Sequence, residues 1–138
     1  MTKNSLSEIN EILSGYCDDI QSLLQKESER IAKDGAKTLR ATSPINKKNT
    51  PSRGKYAKGW KVKKEHSRGV ARCTIYNSAK PSLTHLLERG HDNRDGSKTP
   101  AIVHIKPVEE QCKNEYLKYV ESGIRRAKQW NIKMYIIC

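Results

Sequence analysis

Apolar residues recur at intervals of three and four along the first part of the chain. The series consists of Leu6, Ile9, Leu13, Tyr16, Ile20, Leu23, Leu24, Ile31 and Leu39. This spacing places most of them on one face of a helix. Ser5 and Glu8 have the S-x-x-E spacing of a capping box just before the series begins. Pro44 cannot continue a helix, so the sequence predicts a long N-terminal helix over residues 6–41.

The next segment changes both in composition and in periodicity. Residues 42–59 combine prolines, glycines and asparagines with many lysines, which is typical of an exposed, mobile loop. From Trp60 onward apolar and charged residues alternate, and this pattern predicts a strand. Ser67-Arg68-Gly69 has the composition of a turn. Residues 70–77 are therefore expected to form the second strand of a hairpin.

The C-terminal half predicts four further segments. Residues 83–89 form a short helix that ends at a glycine suited to the C-terminal cap. The polar stretch 91–100 is expected to be a loop, and the apolar run 101–105 a short strand. A second long helix is predicted over 108–128, opened by a proline and with two acids in its first turn. Residues 129–138 are expected to be a last strand or an apolar tail.

This order of elements predicts an α+β fold. A small, mostly antiparallel sheet of three or four strands lies within residues 60–105, packed by the N-terminal and C-terminal helices, with the mobile basic loop outside it. The length of 138 residues predicts a single domain. Hydrophobic residues make up only 35% of the chain, so the core must be lean. The polar N-terminus and the short apolar runs predict neither a signal peptide nor a membrane span.

Positive charge is concentrated in one stretch. The whole chain carries a net charge of +12. Residues 37–68 contain eleven Lys or Arg and one acid, and so carry +10 of it. One surface should therefore be strongly positive. The candidate DNA-facing residues are Lys47, Lys48, Arg53, Lys55, Lys58, Lys61 and Lys63.

Two aromatic residues among these lysines have alternative interpretations. Tyr56 and Trp60 are interleaved with cations, as in proteins that stack single-stranded bases while lysines follow the phosphates. Alternatively, the two rings anchor the loop to the core and the lysines form a solvated or partner-facing surface. We favour anchoring, and keep a small nucleic-acid-binding protein using Lys47–Lys64 as the alternative function.

The histidines are the most tempting candidates for chemistry. His85, His91 and His104 raise the alternatives of a metal site or an HNH-type nuclease. The first two straddle the end of a short helix, and no cysteine or carboxylate completes a familiar ligand spacing. The chain also has no P-loop, nucleophile elbow or dinucleotide fingerprint. We therefore expect no catalytic, cofactor-binding or metal site, no cofactor and no enzymatic activity.

Several stretches together resemble a family of phage proteins. They are Thr42-Ser43-Pro44, Gly54-Lys55-Tyr56-Ala57-Lys58-Gly59-Trp60, Ile75-Tyr76-Asn77, Leu83-Thr84-His85-Leu86-Leu87-Glu88-Arg89-Gly90-His91 and His104-Ile105-Lys106-Pro107. Over roughly residues 38–128 the chain is similar to the minor structural proteins of tailed phages and prophages known as head–tail joining or tail-completion proteins. The resemblance marks Tyr56, Trp60, His85, Leu86, Glu88, His91 and His104 as family-motif or interface residues.

The resemblance implies a role in assembly. Such a protein forms an oligomeric ring at the neck or tail terminus of the virion, and is made in the bacterial host cytoplasm. Its partners would be copies of itself, head-connector or adaptor proteins, and tail-tube or tail-terminator proteins. No enzymatic activity and no membrane partner go with the family. A ring through which DNA passes can use a basic lumen, so weak, sequence-independent DNA contact is compatible with this role.

Overall fold

The computed structural model describes the backbone of residues 5–67 and 70–137, and the side chains of 5–66, 72–123, 125 and 126. This part of the chain contains two long helices, two short helices and two antiparallel pairs of strands. In chain order they are α1 (Ser5–Thr42), α2 (Lys55–Lys58), β1 (Trp60–Ser67), β2 (Val70–Asn77), α3 (Leu83–Arg89), β3 (His91–Asp92), β4 (Lys98–Thr99) and α4 (Ile105–Ile137).

The first helix agrees with the predicted periodicity, but all of its buried residues lie in its second half. The buried positions of α1 are Ile31, Ala32, Gly35, Ala36 and Leu39. They repeat at helical spacing and face the hairpin and α4. Gly35 allows a close approach, because a Cβ there would lie 2.7 Å from the sulfur of Cys112 on α4. The helix ends at Thr42, just before Ser43-Pro44.

The predicted hairpin is present. Strands β1 and β2 pair antiparallel with Trp60 opposite Asn77 and Ser67 opposite Val70. The predicted loop 42–59 contains one turn of helix, α2, which buries Tyr56 and Ala57. The expectation that this whole segment is loop is therefore corrected over α2.

The predicted single sheet of three or four strands is wrong. The structure has one sheet of β1 and β2 and a separate sheet of β3 and β4, each with two strands. The second pair consists of His91 and Asp92 opposite Thr99 and Lys98. It lies within the segment that was expected to be a loop, and is too short to extend the hairpin sheet.

The strand expected over residues 101–105 is also absent. Residues 101–104 have no regular structure, and α4 begins at Ile105. Pro107 lies in the first turn of α4, where its missing N–H leaves no hydrogen bond unmade. The C-terminal helix is longer than the predicted 108–128. Its backbone continues to Ile137, so the backbone described for 129–137 is helix and neither a strand nor an irregular tail.

The core lies where α1, α2, β1 and α4 meet. Leu39, Tyr56, Trp60 and Val108 form its buried cluster. The partly buried residues packed around them are Ile75, Leu83, Leu87, Ile105 and Cys112. This core is as lean as the composition predicts, since no large side chain among the described residues is fully enclosed. Hydrogen bonds around the cluster therefore contribute more to specifying this fold than they would in a domain with a large hydrophobic core.

Candidate functional site

A carboxylate from α3 caps the N-terminus of α4. One oxygen of Glu88 accepts hydrogen bonds from the backbone N–H groups of His104 and Ile105, each at 2.9 Å. The other oxygen accepts from the N–H of Lys106, also at 2.9 Å. These amides have no partner within the helix, because the first turn has no preceding carbonyls. We call these four residues the capping junction.

The environment of Glu88 keeps its carboxylate ionised. Burial by itself would raise its pKa, but the three backbone N–H donors hold the pKa below its ordinary value. The position at the positive end of the helix dipole acts in the same direction. Glu88 is therefore a fixed negative charge that joins two helices.

His104 is bonded through both of its ring nitrogens. Its Nδ1 lies 2.7 Å from the carbonyl oxygen of Ile102 and 3.2 Å from Glu88 Oε2. Both neighbours are acceptors, so Nδ1 carries the proton and donates it. Nε2 lies 2.8 Å from the hydroxyl of Tyr56 and accepts from it in the neutral ring. With a residue exposure of 5%, His104 is a satisfied core histidine.

The rings of Tyr56 and Trp60 and the hydroxyl of Ser43 complete the cluster around His104. The rings of Tyr56, Trp60 and His104 meet edge to face, with centroids 5.7 to 6.4 Å apart. The indole N–H of Trp60 donates to the buried hydroxyl of Ser43 at 2.7 Å. The guanidinium of Arg40 donates to the carbonyl oxygen of Trp60. The end of α1 is thereby tied to the start of β1.

Asn77 performs a similar task at the end of β2. Its amide N–H donates to the carbonyl oxygen of Tyr56 at 2.8 Å, and its oxygen accepts from the N–H groups of Ala79 and Lys80. Its exposure is only 3%. Neither Asn77 nor Ser43 was predicted as a site residue, although both lie in the stretches that carry the resemblance. The signal available in the sequence was an asparagine at a strand end, just before a Ser-Ala-Lys-Pro turn.

The other motif residues do not join this cluster. His85 is exposed, and Leu86 is partly buried. His91 is partly buried, with a buried Nδ1 that has no hydrogen-bond partner. Within the described ranges no group of three or more His, Cys, Asp or Glu is arranged to hold a metal ion. The metal reading of the three histidines therefore gains no support from their geometry.

The seven candidate DNA-facing residues are all exposed. They are Lys47, Lys48, Arg53, Lys55, Lys58, Lys61 and Lys63. On the outer face of the hairpin, Lys61 lies opposite the exposed Tyr76 in the strand register. Lys63 pairs with Glu65 at 2.5 Å, which raises the pKa of the lysine and lowers that of the acid. The basic segment thus presents cations along both the loop and the hairpin.

The two alternative interpretations of the aromatic pair separate in the structure. Trp60 is 3% exposed and Tyr56 is 7% exposed, so neither ring is available to stack on a base. Both anchor the loop and α2 to the core. Tyr76, which was not a candidate, is the aromatic side chain that accompanies the exposed lysines.

The first half of α1 is a second uncovered surface. Every residue from Ser5 to Asp19 is exposed, including Leu6, Ile9 and Leu13. Residues 5–25 contain four acids and no base. We call this segment the acidic arm. At 1.5 Å per residue it extends roughly 30 Å from the part of α1 that is packed in the core.

Comparisons with known proteins provide no family. No protein-family model, curated protein or solved structure matches the chain at a significant level. None of the helices, within the residues described, is both long enough and apolar enough to cross a bilayer. A functional proposal therefore has to rest on the resemblance given in the sequence analysis and on the residues and surfaces described above.

Proposed function

We propose that this chain is a structural protein of the neck or tail terminus of a tailed phage or prophage. In this proposal it forms an oligomeric ring that joins or completes the tail at the head connector, without catalysis. The resemblance of residues 38–128 to head–tail joining and tail-completion proteins supplies the role. Its neighbours would be other copies, connector or adaptor proteins, and tail-tube or terminator proteins.

The observation that carries the proposal is how the motif residues are used. Glu88, His104, Tyr56 and Trp60 all direct their polar atoms to partners within the chain. A motif whose polar groups are committed to the fold specifies a shape, whereas a catalytic motif must present a group to a substrate. The surfaces left exposed are the acidic arm, with its apolar side chains, and the basic face of the loop and hairpin. Exposed apolar patches and complementary charges are typical of protein–protein interfaces.

The test is genetic and structural. Deletion of the gene from the phage or prophage that encodes the chain should give DNA-filled heads without tails, together with free tails, in negatively stained lysates. Complementation with the wild-type chain should restore joined particles, and mass spectrometry of purified particles should detect the chain in several copies. Intact infectious particles from the deletion strain would contradict the proposal.

Nucleic-acid binding remains a second candidate, because all seven basic residues are exposed. Fluorescence anisotropy with a short duplex at several salt concentrations would measure it. Binding through several phosphates loses affinity steeply with salt, with a slope of about −0.9 per neutralised phosphate. Lys58→Glu combined with Lys61→Glu should then weaken binding strongly, while Lys113→Glu with Lys118→Glu on the exposed face of α4 serves as the matched control. Equal effects of the two pairs would indicate a general charge effect and no dedicated surface.

A further inference from the structure

The acidic arm carries the pattern of a helix that pairs with another helix. Leu6, Ile9, Leu13, Tyr16, Ile20 and Leu23 follow one another at alternating intervals of three and four residues. This is the spacing of the a and d positions of a coiled-coil seam. Leu6, Ile9, Leu13, Tyr16 and Leu23 are between 42% and 66% exposed. A continuous apolar stripe of this kind marks a surface for a partner.

Charge disfavours the pairing of two acidic arms with each other. Each arm carries four acids and no base, so a pair would bring eight negative charges together. Like charges across a helical seam oppose association and act as a device against that pairing. The occupant of the stripe should be an apolar helix of positive charge.

The chain itself contains such a helix. Residues 122–137 at the end of α4 include Arg125, Arg126, Lys128 and Lys133 and no acid, so this segment carries +4 against the −4 of the acidic arm. The same stretch is rich in large apolar residues, from Ile124 and Trp130 to Ile137. Its backbone is helical, and Arg125 and Arg126 are exposed. We call it the basic arm.

The packing of α1 on α4 near the core gives the relative direction of the two arms. Near the core the helices run antiparallel, since Gly35 adjoins Val108 while Arg30 lies 3.8 Å from Glu115. The acidic arm thus continues beyond the packed region in the same general direction as the end of α4. Residues 5–19 of the arm are nevertheless exposed, so the side chains that the structure describes leave this stripe uncovered.

We propose that the acidic arm of one copy docks on the basic arm of a second copy, as an antiparallel pair of helices held by the apolar seam and by opposite charge. Each subunit offers two different surfaces in this contact, which makes it heterologous. Heterologous contacts close into a ring when the rotation permits. The ring itself rests on the proposed function, whereas the docking of the two arms is a property of the purified protein.

Charge reversal at exposed positions tests the docking. Light scattering and sedimentation of the full-length protein over a range of concentrations should show reversible association. Asp18→Lys with Asp19→Lys, or Arg125→Glu with Arg126→Glu, should each weaken association by about tenfold or more. Combining the two pairs should restore it to within about threefold of wild type. Lys47→Glu with Lys48→Glu, two exposed residues of the basic loop, is the control and should leave association unchanged.

Other arrangements give different results, and each overturns the proposal. A wild-type protein that is monomeric up to about 0.5 mM, with the charge pairs altering only its thermal stability, indicates that each arm folds onto its own chain. Rapid disulfide formation between the exposed Cys17 residues of two copies indicates pairing of acidic arms. Association that is insensitive to all the reversals places the interface elsewhere.

The docking and the proposed function fail in distinguishable ways. If the charge pairs behave as expected while deletion of the gene leaves phage particles intact, the arms dock but the neck role is wrong. If deletion abolishes tail joining while the charge pairs leave association unchanged, the neck role holds and another surface forms the ring. All the reversed side chains are exposed, so each variant should fold like the wild type. Circular dichroism of each variant checks this.

Discussion

Removal of the carboxylate of Glu88 should loosen the joint between α3 and α4. Glu88→Ala takes away three hydrogen bonds to backbone amides, each of which contributes about 1 kcal/mol net. It also removes a negative charge from the N-terminus of α4, which contributes about 0.5 to 1 kcal/mol. We expect the free energy of unfolding to fall by about 3 to 4 kcal/mol in urea denaturation.

A conservative replacement separates the bonds from the charge. Glu88→Gln retains one oxygen for His104 and Ile105, but its amide group faces the N–H of Lys106 with another donor. We expect a loss of about 2 kcal/mol. Glu110→Ala, which removes an exposed carboxylate further along α4, is the control and should cost less than about 0.5 kcal/mol.

The pH dependence gives an independent check of this joint. The pKa of Glu88 is lowered in the folded protein from its ordinary value of 4.5. The stability that it contributes is therefore complete above pH 4.5, and is lost as the pH falls through the folded-state pKa. The difference between wild type and Glu88→Gln should shrink as the pH is lowered from 6 to 3. A constant difference, or a Glu110→Ala variant as unstable as Glu88→Ala, would refute the capping argument.

Three further predictions concern the surroundings of the core. Gly90→Ala should lower the free energy of unfolding in urea by about 2 kcal/mol or more, because φ is +74° and a Cβ would lie 2.6 Å from a backbone oxygen. The control is Gly96→Ala, at φ +82° in open space, which should cost only about 1 kcal/mol. Equal costs of the two substitutions would contradict this prediction. Asn77→Ala should lower stability by about 2 to 3 kcal/mol, and Thr74→Ala on the exposed face of β2 should have little effect. Burial raises the pKa of Tyr56 from 10.0 to about 12, so its contribution is complete below pH 10 and is lost as the pH rises to 12; Tyr56→Phe should lack this component of the alkaline decline.

Local patterns in the sequence account for the elements that were predicted correctly. The long first helix follows from apolar residues at helical spacing, and the hairpin from alternation on both sides of a Ser-Arg-Gly turn. The run Ala101–Ile105 misled, because a short apolar stretch fits a strand and an irregular segment equally well. The structure of this run depends on Glu88, which is distant in the sequence. Glu88 supplies the acceptors for the first N–H groups of α4 and so sets its start at Ile105. No local pattern contains that information.

The candidate residues divide along a similar line. The resemblance marked Glu88, His104, Tyr56 and Trp60, and the structure brings these four residues together around one junction. Their hydrogen-bond partners, Ser43 among them, were missed because a lone serine before a proline has many uses. The exposure of the acidic arm was unpredictable for a different reason. Periodicity identifies the apolar face of a helix, but only the fold determines how much of that face finds a neighbour.

The turn between β3 and β4 offers a place for a visible marker. Asn93 and Ser97 close it with a backbone hydrogen bond of 2.8 Å, and Asp95 accepts from both the N–H and the hydroxyl of Ser97. Its tip is exposed and contributes nothing to the buried cluster. Exposed, self-contained loop tips tolerate inserted sequence well. A short epitope placed beside Gly96 would let antibody labelling in electron micrographs test whether the protein is present in phage particles and, if it is, at which position, with both helical arms left intact.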